Sequence, residues 1–176
     1  VNVIRVPVIP RGNGRAIRMV LNYVSSLFFT FIYTLSIVLR KKFDFIFVQE
    51  LSPAFIGIPA VLAKKIQHIP IYFWLLDVWP ESLAAGGITN KYIIGIVDKI
   101  MRRIYRNCHK IFIAAPGVRS LLQQRGVRND CIEDLPNWGE DALQGDEVSE
   151  DQLPPLPDGF RIMFAGNLGE AQNLEN

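Results

Sequence analysis

The chain alternates short apolar runs with longer stretches of helical periodicity. Five runs read as strands, at about 2–9, 43–49, 69–76, 110–115 and 160–165, and Cys131 to Leu135 is a candidate sixth. Runs such as FDFIFVQ and IPIYFWLL do not alternate apolar with polar residues. That pattern fits strands covered on both faces, as in a parallel sheet. Helical stretches lie between them, at about 15–40, 53–67, 91–107 and 116–125. The alternation predicts an α/β fold: a Rossmann-like, doubly wound parallel sheet with right-handed crossovers. Its site would lie at the carboxyl ends of the strands.

Residues 140–159 break this rhythm with acids, three prolines and two glycines, and read as an exposed linker. The organisation predicted is a domain over 1–139, a linker over 140–159 and the start of a second domain over 160–176. That last segment, FRIMFAGNLGEAQNLEN, has the order strand, glycine turn, helix start. Such a turn collects backbone N–H groups and the positive end of a helix dipole around an anion. The segment stops about one turn into its helix, and VNVIRVPVI reads as a strand already under way. The chain therefore reads as a fragment of a longer protein.

At 49% apolar content, 176 residues can bury one α/β core. The net charge of +2 conceals an asymmetry. Residues 1–42 carry seven Lys/Arg and no acid, whereas residues 133–176 carry one base and eleven acids. A basic front suggests a face that meets anions. Cys108 and Cys131 lack metal-ligand spacing and read as small core residues in a reduced compartment.

Two helices are candidates for membrane contact. Met19 to Leu39 is 21 residues without a formal charge, flanked by Arg15 and Arg18 before and Arg40, Lys41 and Lys42 after. That is long enough to span a bilayer. Against a span, Asn22, Ser26, Thr30 and Thr34 form a polar stripe, and predicted strands bracket the helix. Dipping into the membrane surface and burial in the core both remain open. The second helix puts Ile93, Ile96, Val97, Ile100, Met101 and Ile104 on one face and Lys99, Arg102, Arg103 and Arg106 on another. A basic amphipathic helix suits anionic lipid, and equally suits a core-facing helix with a solvated side.

IPIYFWLL runs directly into Asp77, which puts a carboxylate at the carboxyl end of a central strand, where such sheets bind ligands. Trp79 could stack on a sugar ring, and Glu81 could line the cleft or cap the helix that Pro80 begins. The structural alternative makes Asp77 a cap and Trp79 a core anchor. Pro116 and Gly117 form a small-residue turn that would allow close approach, and Asn137 leads out of the domain. No GxGxxG or Walker sequence is present, His68 and His109 are unsuited to sharing a metal, and no nucleic-acid module pattern appears.

Taken together, YFWLLDVWPESL, the long NY-containing helix, IFIAAPGVRSLLQQRGV, LPNWGED and FAGNLGEAQNLE resemble the bacterial family 4 (group 1) glycosyltransferases of the GT-B fold. The likeness is nearest to the O-antigen and capsular polysaccharide subgroup, with its N-acetyl-fucosamine transferase-like members. It covers nearly the whole chain in the expected order. The resemblance implies a retaining transfer from a nucleotide-diphosphate sugar to a lipid-linked glycan at the inner face of the cytoplasmic membrane. It implies no metal or other cofactor.

By this likeness the chain is the acceptor-side lobe, lacking its first strand, joined to the opening of the donor-side lobe. Gly166, Asn167, Gly169 and Gln172 would lie by the donor diphosphate, and Asp77 would face the acceptor or the reacting sugar. Many relatives carry Arg and Lys where Asn167 and Gln172 stand, so the leaving diphosphate would be neutralised from elsewhere or by backbone donors. The paired-glutamate motif of the donor lobe is absent, and the chain alone is expected to be inert. The rival reading is a non-catalytic, membrane-associated binding or scaffolding domain. A third is a sugar-nucleotide epimerase or dehydrogenase, disfavoured by the missing glycine fingerprint.

Overall fold

A computed structural model describes residues 2–12, 16–85, 87–139, 155 and 158–166. The chain divides into two compact units, Val1–Pro136 and Asn137–Asn176. The first is α/β, with the elements α1 (Ala16–Arg40), β1 (Ile46–Glu50), α2 (Gly57–Gln67), β2 (Ile71–Leu75), α3 (Glu81–Ala85), α4 (Lys91–Tyr105), β3 (Lys110–Ile113), α5 (Val118–Gln124) and β4 (Ile132–Asp134). The candidate sixth strand is thus real and forms β4.

The four strands are parallel, in the order β1-β2-β3-β4. Sequential parallel strands joined by right-handed crossovers, all stepping the same way, put their helices on one face. The register agrees. Val48 pairs with Phe73 and Phe73 with Ile111, all buried. With Leu75, Ile113, Met101, Ile104 and Leu122 they form the core. The opposite face carries Phe47, Tyr72 and Phe112, whose rings meet each other but stay exposed or half-buried. The expectation of strands covered on both faces is therefore corrected for β1, whereas on β2 the second face is partly covered, with Trp74 buried. Burial alternates along β1 although hydrophobicity does not, and among the described residues the strand order lacks the reversal of a doubly wound sheet.

Helix α4 begins at Asn90, whose side-chain oxygen accepts from the N–H groups of Tyr92 and Ile93. It crosses α2 at Gly57, where an added Cβ would lie 2.6 Å from Cγ2 of Ile104 and 3.1 Å from Phe73. Gly57→Ala should therefore cost about 1–3 kcal/mol by overpacking. Urea unfolding checks this, and an unchanged midpoint would refute the close contact.

Two expected strands are absent. Residues 2–9 join no ladder. Instead Ile9 is tied to α1, its N–H donating to Ser25 Oγ at 3.0 Å and its carbonyl accepting from Asn22 Nδ2 at 2.6 Å. Residues 160–165 are also outside any strand, with Phe160, Ile162 and Met163 between 88% and 94% exposed. Apolar composition permits a strand, but a hydrogen-bonded neighbour makes one. Residues 2–9 therefore supply no strand to this sheet ahead of α1.

Nor is α1 a buried helix. Among its described side chains only Ser25 and Val38 are buried. Its amphipathicity is inverted. Thr30 and Thr34 of the polar stripe face inward, lining a largely apolar groove of about 320 Å³ with Phe43, Phe45, Phe47 and Ala63. Val20, Val24 and Phe28 point outward, 57–58% exposed.

Candidate functional site

Two carboxylates meet at the carboxyl ends of β1 and β2. Glu50 ends β1 and is fully buried. Asp77 follows β2 by two residues and is half-buried. The Asp77 main-chain N–H donates to Glu50 Oε2 at 3.1 Å, while Glu50 Oε1 has no partner among the described residues. Burial first, and then the nearby Asp77 carboxylate, push the Glu50 carboxyl up to about 8, against the main-chain N–H groups of Asp77 and Leu76. Glu50 therefore holds its proton at neutral pH.

Sequence reasoning picked out Asp77 and missed Glu50, although a signal was present. VQELSP and LLDVWP share an acid, two residues and a proline at the end of an apolar run. The structure aligns the two segments on adjacent strands, and both X-Pro bonds, Ser52-Pro53 and Trp79-Pro80, are cis.

Asp77 is held on both oxygens. Oδ2 accepts from Trp79 Nε1 at 3.0 Å, and Oδ1 accepts from the Ser82 hydroxyl. Trp79 is only 2% exposed, its ring packed edge-on by Tyr23 and Phe55. It is a core anchor, which corrects its expected role as a stacking surface for a sugar. Arg11 lies 5.2 Å over the Tyr23 ring, so α1 and the segment before it are pinned beside this loop.

Glu81 stands in the first turn of α3, where one oxygen of its half-exposed carboxylate engages Arg125 at 2.6 Å. Arg125, at 4% exposure, also meets Asp98 of α4 at 2.9 Å. It directly precedes Gly126, whose φ of +83° turns the chain after α5. Burial alone would raise the Asp98 carboxyl. Hydrogen bonds from Arg102 and Arg125 outweigh that and hold it below the usual carboxylate range. Behind this pair the Tyr105 hydroxyl and Arg125 Nη1 are buried without partners among the described residues. Burial raises the Tyr105 hydroxyl above its ordinary value, and the neighbouring Glu50 and Glu81 charges add to the rise.

Pro116 and Gly117 are exposed at the start of α5, and a Cβ on Gly117 would meet open space. Asn137 is exposed in the second unit, as is Gly166. Asn167, Gly169 and Gln172 lie outside the described residues. Lys99, Arg103 and Arg106 are exposed along α4, with Arg102 half-buried against Asp98. Cys108 and Cys131 are free thiols, and burial pushes that of Cys108 up to about 12. No three His, Cys, Asp or Glu side chains gather as a metal site among the described residues.

The raised Glu50 carboxyl has a signed consequence. An acid harder to ionise in the folded state costs stability as pH rises through the window between its unfolded value, near 4.5, and about 8. Stability should fall by about 2–3 kcal/mol from about pH 5.5 to 7.5, and Glu50→Gln should flatten that slope. Urea midpoints across this range test the effect, and parallel curves for the two proteins would refute it.

No protein-family model matches the chain, and a search of curated proteins finds no significant match.

Proposed function

We propose that the chain is the acceptor-side lobe of a membrane-surface glycosyltransferase, in which a lipid-linked glycan receives a sugar from a nucleotide-diphosphate donor. The observation that carries this reading is the Glu50–Asp77 pair at the carboxyl ends of adjacent parallel strands, where open α/β sheets bind their ligands. A buried carboxyl that keeps its proton at neutral pH can donate to an oxygen, which suits hydroxyl chemistry at this strand end.

The outward apolar face of α1 supports a position at the bilayer surface. Packed along α2, with its polar stripe turned inward, α1 lies on the membrane instead of crossing it. In this reading the parallel sheet is one wing of a Rossmann-like lobe of GT-B type. Gly166 opens the donor side, and the paired carboxylates of a donor lobe are required for turnover. The chain is then cytoplasmic, peripheral to the inner membrane and inert by itself.

A second reading, the non-catalytic membrane-associated binding domain, is favoured by one observation. Both oxygens of Asp77 are engaged, by Trp79 of its own loop and by Ser82 of α3, and Glu50 is fully buried. Expression of the complete reading frame separates the two. Incubated with its native membranes and a panel of radiolabelled nucleoside-diphosphate sugars, the full protein should label a lipid-extractable glycan. A full protein that binds those membranes and labels nothing with any donor would favour the binding domain.

A further inference from the structure

Five cations converge between α2 and α4. Lys65 from the last turns of α2, Lys99, Arg102 and Arg103 from α4, and Arg106 at its C-terminal cap line a hollow of about 480 Å³, completed by Asn107. No carboxylate lines it. Arg102 is neutralised by Asp98 at 2.6 Å, whereas the other four form no ion pair among the described residues. The convergence follows from helix geometry. Lys99, Arg103 and Arg106 are spaced four and three apart and share one face of α4, and Lys65 reaches the same space from the neighbouring helix.

Like charges gathered in this way raise one another's energy, and a multivalent anion relieves that cost. Arginine forks grip phosphate oxygens in pairs, and lysines add point charges around them. We propose that this hollow binds clustered phosphate, a diphosphate or closely spaced phosphomonoesters carrying at least two negative charges. The inference is independent of sugar transfer at Asp77 and goes beyond a general attraction to acidic membranes, because it assigns one hollow and one ligand chemistry. The same helix face continues into Tyr92 and Ile96, 72% and 61% exposed, so the phosphate can come from a lipid headgroup or be free in solution.

Inorganic pyrophosphate titrated into the whole chain by calorimetry at ~0.15 M salt tests the chemistry. Flotation with vesicles of phosphatidylcholine containing phosphatidic acid, with and without added pyrophosphate, tests the source. The comparison protein carries Lys99→Gln, Arg103→Gln and Arg106→Gln, all at exposed positions, with circular dichroism confirming an unchanged fold. Loss of three cations should weaken binding about 100-fold. Pyrophosphate binding that the triple variant loses supports the site. If flotation is also lost in the variant and competed by pyrophosphate, the ligand is a lipid phosphate; if flotation is insensitive to both, it is a free one. The proposal falls if pyrophosphate and phosphatidic acid both fail to bind, or if the folded triple variant binds each as tightly as the natural chain.

Discussion

Arg125→Met should lower the stability of the first unit by about 3–5 kcal/mol at neutral pH, among the largest effects of any single change here. The side chain is 4% exposed and joins three helices, closing α5 and reaching Glu81 on α3 and Asp98 on α4. Methionine fills much of the same space, so the loss comes from two carboxylates deprived of their cation and not from a cavity. Asp98 keeps Arg102, and the Glu81 side chain is 47% exposed, so both recover some stabilisation from an alternative partner or water. The lower end of the range is therefore expected, a fall in Tm of roughly 10 °C for a domain of this size. Arg125→Lys should fall between the two, since one ammonium cannot match the fork that meets both acids.

The effect of Arg125→Met carries a pH sign. Asp98 is held below its ordinary value, so its contribution is present above the unfolded carboxylate range and disappears as pH falls through the folded value. The difference between Arg125→Met and the natural chain should therefore narrow in acid. Urea unfolding near pH 7 and near pH 3 measures it. A loss under ~1 kcal/mol at neutral pH would mean that the buried guanidinium merely breaks even against its desolvation.

The second large effect concerns α1. Val20→Gln, Val24→Gln and Phe28→Gln together should reduce binding to anionic vesicles about 100-fold or more. Each removes an apolar side chain worth on the order of 1 kcal/mol at the interface and replaces it with a polar one. These side chains are 57–58% exposed, so the fold should tolerate the changes. Arg18, Arg40, Lys41 and Lys42 flank or close the helix without an acid in residues 1–42, so binding by the natural chain should also weaken with salt. Flotation at low and high salt measures both terms. Absence of binding at low salt, or equal binding by the triple variant, would remove α1 as a membrane face.

Much of the first unit was legible along the chain. The runs at 43–49, 69–76 and 110–115 became β1, β2 and β3, the helical stretches became α1, α2, α4 and α5, and Cys131 to Leu135 contributed β4. These succeed because helix periodicity and apolar strand runs are local properties of sequence. Residues 2–9 and 160–165 failed because a strand also needs a neighbour, and apolar composition does not supply one. Asp77 was visible because it directly follows a long apolar run. Glu50 was not, because a glutamate ending a strand is ordinary until a second carboxylate is placed beside it.

The sequence by itself determined the alternation of strands and helices, the concentration of positive charge at the front, and the part of the apolar face of α4 that holds Val97, Met101 and Ile104, though not Ile93 and Ile96, which stay exposed. Each depends on residues within a few positions of one another. Tertiary structure decided that the polar stripe of α1 turns inward, that Trp79 is an anchor, that Glu50 keeps its proton, and that Lys65 joins the cations of α4. Burial, partner and local charge depend on what the rest of the chain brings within a few ångströms, and spacing along one segment does not encode that.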